Sequence, residues 1–150
     1  MKIKKISGGQ SLFEVVIALA ISALIIVGLV SLVSNAIRNA TYAKNNTLAG
    51  RYAQDATEWL RGQRDGNIED FMTNALSPTW CLSTLDWTQS SACGVNDVIT
   101  GTQFRREAAF SITAPGGKNV VQADLTVFWE DSQGIHEVRS ATNYTDWRQR

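Results

Sequence analysis

One carboxylate stands at the head of a long uncharged run. Glu14 is followed by residues 15–37, which carry no charged side chain. Deep in a bilayer a carboxylate costs about 2.5–3.5 kcal/mol, so its position asks for an account. Three accounts fit the residues. Ser11-x-x-Glu14 is a capping box, in which the two side chains satisfy the first backbone N–H groups of a helix. A carboxylate near a helix start also meets the positive end of the helix dipole, close to the headgroups. Third, cleavage of the chain just upstream would create an α-amino group, a positive partner for the acid. The chemistry of the residues leaves these three even.

Other reactive groups are sparse. The chain has one His and two Cys, fewer soft ligands than the four of a closed zinc site, so no metal is expected. His136 has no G-x-S-x-G elbow to serve and is expected on the solvent face of a strand. Gly116-Gly117-Lys118 reads as a hairpin turn, because no P-loop pattern surrounds it. With 14 Lys+Arg against 14 Asp+Glu the formal net charge is zero, which disfavours a charge-driven nucleic-acid binder. Arg105, Arg106, Arg139, Arg148 and Arg150 are interleaved with Glu107, Glu130, Asp131, Glu137 and Asp146, the pattern of a mixed solvated face. The expectation is no catalytic residue, no cofactor and no nucleic-acid partner.

The element that must position Glu14 is the apolar run. Leu12 to Val33 is long enough, at ~1.5 Å per residue, to cross a ~30 Å hydrocarbon core. Lys2, Lys4 and Lys5 precede it, so the N-terminus should stay cytoplasmic and the remainder be exported. A cleavable secretory signal is the competitor, with Ser34-Asn35-Ala36 as its small-x-small site. The run exceeds the ~7–15 residues of an ordinary signal core. Ala18, Ala20, Ser22, Ala23 and Gly28 would let such helices approach closely, and are also common membrane-helix residues.

Beyond Val33 the pattern turns amphipathic. Leu48, Tyr52, Ala56, Trp59 and Leu60 form a helical stripe, with Arg51, Asp55, Glu58 and Arg61 off it. One helix is expected from about Ser11 to Leu60, with Gly62 as its C′ glycine and Gly50 as a bend. Residues 63–101 read as loop with a short helix near Ile68 to Leu76. Once exported, Cys81 and Cys93 would meet an oxidising compartment, and a bond between them would contribute about 3 kcal/mol. Two free thiols are the alternative. Trp80 and Trp87 are expected to pack on the helix or sheet edge, with an exposed recognition loop as the competing reading. Three strands follow, residues 104–112, 121–129 and 135–144. The second, with Val121, Ala123, Leu125, Val127 and Trp129 on one face, has the clearest period of two. Turn residues at Pro115–Lys118 and Asp131–Gly134 make them an antiparallel meander covered by the helix stripe.

Gly9 before Gln10, Ser11-Leu12-Phe13-Glu14-Val15, the basic leader and the uninterrupted apolar helix together resemble the type IV prepilin signature. The resemblance is strong over about the first 60 residues and extends to the rest in outline. It implies an α+β, pilin-like fold. Its parts would be a leader (1–9), a transmembrane or filament-core helix (10–34), an amphipathic extension (35–62), a loop region with the candidate disulfide Cys81–Cys93 (63–102) and an antiparallel sheet (103–150). It implies that a prepilin peptidase cuts between Gly9 and Gln10 and methylates the new amine of Gln10. It implies too that Glu14 neutralises the terminal amine of a neighbouring subunit during assembly. Gln10 departs from the Phe or Met usual at that position, a change that cleavage tolerates better than methylation does. A disulfide ahead of the sheet, rather than near the C-terminus, points to a minor pilin or pseudopilin instead of a major subunit. Implied partners are the peptidase, other pilins, the inner membrane and a pilus or secretion assembly platform. The implied location is single-pass in the inner membrane, then an extracellular or periplasmic filament. The competing readings are a type II secretion pseudopilin, a bitopic or secreted domain unrelated to filaments, and a tip-borne module that binds DNA or a surface ligand.

Overall fold

The computed structural model describes residues 10–115 and 119–146, with the backbone alone for Gln10 and Ser11. In chain order the elements are α1 (Gln10–Gly66), α2 (Ile68–Asn74), β1 (Thr79–Cys81), β2 (Arg105–Thr113), β3 (Val120–Asp131) and β4 (Gly134–Thr145). The chain divides into two compact units, Met1–Ala43 and Lys44–Arg150.

The first unit is described from Gln10 onward and is helical throughout. Its side chains from Leu12 to Ala43 are exposed, although most are Leu, Ile, Val and Ala. Two of the hydroxyls on this apolar surface are turned back on the helix. Ser22 Oγ donates to the Ala18 carbonyl at 2.7 Å and Ser34 Oγ to that of Val30 at 2.9 Å. Each is thereby satisfied without a partner helix.

In the second unit α1 continues to Gly66, six residues past the expected end at Leu60. Gly62 is therefore interior to the helix and not its C′ residue. Among the described residues only Gly101 and Gly134 have positive φ, so Gly62 does not take the left-handed conformation of a C′ glycine. The stop lies instead at Asn67, whose extended backbone and side-chain oxygen cap α2. Its Oδ1 accepts from the N–H groups of Glu69 at 3.1 Å and Asp70 at 3.3 Å, and both acids sit at the positive end of the new helix.

The sheet has four strands in the order β1-β2-β3-β4, all neighbours antiparallel. The sequence pattern points to three strands with residues 79–81 in a loop, whereas the sheet has a further strand there. β1 is too short to show a period, and it exists because Thr79, Trp80 and Cys81 pair with Ala109, Ala108 and Glu107 of β2. The β3–β4 hairpin closes at Asp131 opposite Gly134, which has φ +119°, a conformation strained for any side chain.

One face of the sheet meets α1. From β3 the expected row Val121, Ala123, Leu125, Val127 and Trp129 is buried. From α1 the buried apolar positions are Ala49, Ala53, Ala56 and Leu60, while Leu48, Tyr52 and Trp59 flank them half-buried. The helix thus offers small residues where it crosses the sheet, and its larger apolar side chains lie to either side. Two clusters result, one around Phe71, Leu82, Phe110 and Tyr144, the other around Phe104, Val127 and Trp129. The result is an α+β arrangement, a long N-terminal helix packed on a four-stranded antiparallel sheet.

Candidate functional site

Glu14 lies one helical turn beyond Gln10 on α1 and is exposed. Positions four apart on a helix share a face. Gly9 and the leader lysines lie outside the described residues, and so does the side chain of Gln10. What the structure places around Glu14 is an apolar surface without cover: Leu12 and Phe13 are 78% and 70% exposed, and the leucines, isoleucines and valines up to Ile37 follow suit. Among the described residues one helix, near the N-terminus, is long and apolar enough to cross a membrane. An exposed apolar patch of this extent marks a membrane or an interaction surface.

The remaining sequence-level candidates lie in the second unit. Cys81 and Cys93 are bonded, with Cα atoms 4.8 Å apart, and the bond ties the loop before β2 to β1. The Glu107 carboxylate accepts the Cys93 N–H at 2.8 Å, and the Cys81 N–H is donated to the Gln89 carbonyl at 3.0 Å. Inside this loop Asp97 accepts from Gln89 Nε2 at 2.9 Å and from the Gly94 N–H at 2.7 Å. Those two hydrogen bonds, the Gln89 one foremost, hold its carboxyl below the usual range. Trp80 and Trp87 do not form an exposed recognition loop. Trp80 is buried, Trp87 packs tilted against Trp59 and edge-on to Trp80 at centroid distances of 4.7 and 5.0 Å, and its indole N–H is donated to Gln63 at 3.1 Å. Both rings pin the loop to the helix.

Two expectations are corrected. Arg106 is not on a solvated face but only 3% exposed. Its Nε–H is donated to the Leu82 carbonyl at 2.9 Å and a terminal N–H to the Tyr52 carbonyl of α1 at 3.0 Å. Burial lowers its pKa, while the charge of Asp55 acts the other way. The alternation Phe104, Arg106, Ala108, Phe110 put it on the inward face and was the signal available. His136 is not solvent-facing either. It stacks on Trp129 at 5.3 Å and pairs with Asp131 at 2.9 Å. Asp131 is held below its usual range, first by the Gln133 N–H and then by His136. Arg148 and Arg150, like the Gly116–Lys118 turn, lie outside the described residues.

Among the described residues no group of three or more His, Cys, Asp or Glu stands together to hold a metal ion. No protein-family model, curated protein or solved structure matches the chain.

Proposed function

We propose that this chain is a subunit of a type IV pilus-like filament, a minor pilin or pseudopilin, made as an inner-membrane precursor. Prepilin peptidase hydrolyses the Gly9–Gln10 amide, leaving Gly9 with a carboxylate and Gln10 with a free amine, which is then methylated. The apolar helix holds the precursor in the membrane, N-terminus cytoplasmic, until the assembly platform extracts it. In the filament, Glu14 meets the amine of a neighbouring subunit, and apolar helices bury against one another. At ~25 cal/mol per Å², a few hundred Å² per neighbour supplies several kcal/mol, which offsets the loss of lipid contact. The protein is then not an enzyme but the substrate of one.

One observation carries this reading. Glu14, at the spacing from Gly9 that the prepilin signature requires, opens an exposed apolar helix whose continuation packs on an antiparallel sheet. The disulfide supports export, because such bonds persist in oxidising compartments. Its place before the main strands favours a minor subunit or a secretion pseudopilin over a major pilin.

Mass spectrometry of the native N-terminus tests it. A chain beginning at Gln10, with or without one methyl group, is the expected result. A chain beginning at Ile37 means ordinary secretion, and one beginning at Met1 means a plain anchor; either overturns the proposal.

A further inference from the structure

α1 begins at Gln10, so this residue is already helical where the proposed cleavage would expose it. The first N–H groups of a helix have no carbonyl to bond within it, so a freed amine there is committed to nothing in its own backbone. Glutamine carries its amide at the distance from that amine at which attack closes a five-membered ring. A reaction within one residue needs no encounter, and groups so tethered react as if at very high concentration. A hydrocarbon or thioether side chain in this place could not react. The charges nearby give the reaction a consequence. Between Gln10 and Ile37 the only charged side chain is Glu14, four residues on and on the same helix face. Its neighbours Leu12, Phe13 and Val15 are exposed and apolar. An amine freed at Gln10 is therefore the one cation that this stretch of helix can bring to a carboxylate.

We propose that Gln10 is a second kind of modification site, closing to a pyroglutamyl lactam in competition with methylation, and that the Glu14 carboxylate restrains the closure. The inference rests on the proposed cleavage after Gly9, since only a free amine can attack. In the step, the uncharged amine attacks Cδ of its own side chain. The bond from the amine nitrogen to Cδ forms, the bond from Cδ to the side-chain amide nitrogen breaks, and one amine proton leaves with that nitrogen as ammonia. No oxidant, reductant or second substrate is consumed. The helix accommodates the product at its first position, as it does the ring of a proline. An amine held as ammonium against a carboxylate has no lone pair to attack with. Pairing with Glu14, of the same chain or of a neighbour, therefore keeps the ring open. Once closed, the ring is neutral, and the chain still offers an acid but no longer an amine. In a row where each acid meets the amine of the next chain, such a chain fits only at one end.

Mass spectrometry of the N-terminal peptide through an isotope pulse and chase tests it, with membrane pool and sheared filaments collected separately. In the membrane pool a peptide beginning at Gln10 and lighter by one ammonia should accumulate, and pyroglutamyl aminopeptidase should trim it to begin at Ser11. A methylated peptide is heavier instead, so one spectrum counts both fates. The lactam form should be depleted in filaments relative to the membrane pool. Glu14→Ala should speed its accumulation on the order of tenfold. Gln10→Asn, whose amide is one carbon too near for a five-membered ring, should abolish it. A peptide that begins at Gln10 and keeps an open ring throughout the chase overturns this proposal and leaves the cleavage standing. So does a lactam form equally abundant in filaments, or one that accumulates no faster in Glu14→Ala. A peptide beginning at Met1 or Ile37 overturns the cleavage and the lactam together.

Discussion

Arg106 allows the docking of helix on sheet to be tested quantitatively. It joins three elements, β2 through its own backbone, the loop after β1 through the Leu82 carbonyl, and α1 through the Tyr52 carbonyl. Hydrogen bonds from a charged donor contribute about 1.5–3 kcal/mol each, so the two together are worth about 3–6 kcal/mol gross. Against this stands the cost of taking a guanidinium out of water, several kcal/mol, with Asp55 as the charge that most offsets it. The net contribution is therefore small beside the gross one, and the replacement decides what is measured. Arg106→Met keeps an unbranched chain of similar length and removes the buried charge; it leaves the Leu82 carbonyl without this donor and should destabilise by about 1–2 kcal/mol. Arg106→Ala adds an unfilled cavity between α1 and β2 and should destabilise by about 3–5 kcal/mol. Arg106→Lys keeps the buried charge with a single donor centre unable to span both carbonyls, and should fall between the two. Urea unfolding of the detergent-solubilised chain, followed through Trp59, Trp80, Trp87 and Trp129, gives the three values. If all three variants lie within about 0.5 kcal/mol of the parent, the clamp between helix and sheet is not a determinant of stability. If Met is worse than Ala, the balance of desolvation against hydrogen bonding drawn here is wrong.

Reducing the Cys81–Cys93 bond, or replacing both residues by Ser, should cost about 3 kcal/mol in the same unfolding assay. Tyr144 donates its hydroxyl to the Thr57 carbonyl at 3.0 Å, and burial pushes its pKa up to about 12 from 10.0. The folded chain thus keeps this proton after the unfolded chain has lost it. Its contribution is full below pH 10 and falls as the pH rises towards 12, a decline visible in alkaline melts and absent from Tyr144→Phe. Ala53→Leu, at a position 2% exposed, should destabilise by about 1–3 kcal/mol through overpacking against the sheet. Glu14→Ala should leave the precursor cleaved and membrane-bound yet absent from sheared filaments; undiminished incorporation, read by immunoblot, would show that the acid has no part in assembly.

What the sequence disclosed, and what it hid, divides along the range of the forces involved. The uncharged run and the stripe ending at Trp59 and Leu60 are local patterns, and the helix they announce is there. The row from Val121 to Trp129 alternates cleanly because one side of β3 faces α1 and the other faces water. β1 was hidden because three residues have no period of their own and take their conformation from β2. Arg106 and His136 depart from the rule that a charged or titratable side chain seeks solvent. Each sits instead on the inward face of its strand, where backbone carbonyls in one case and Trp129 with Asp131 in the other supply partners. The buried alanines at 49 and 53 lie beside a stripe that the larger residues Leu48 and Tyr52 define in the sequence. Apolar size is a poor guide where a helix must approach a sheet closely.

The two units pose opposite problems. Lys44–Arg150 meets its own requirements: it has two apolar clusters, a disulfide, and side-chain bonds that close on the carbonyls of Tyr52 and Thr57. The helix before it turns Ser22 and Ser34 onto its own carbonyls, and its apolar side chains from Leu12 onward are exposed. A helix in that condition needs an apolar environment from outside the chain. Lipid alone would meet the need, and for lipid alone Glu14 is a cost. A bundle of like helices also meets it, and there a freed amine turns the acid from a cost into a contact. In a plain anchor Glu14 has only the helix start and the headgroups to meet, whereas in the proposed assembly it also gains a neighbour's amine. This difference is why the fate of the Glu14→Ala variant, anchored but unassembled, discriminates between the two environments.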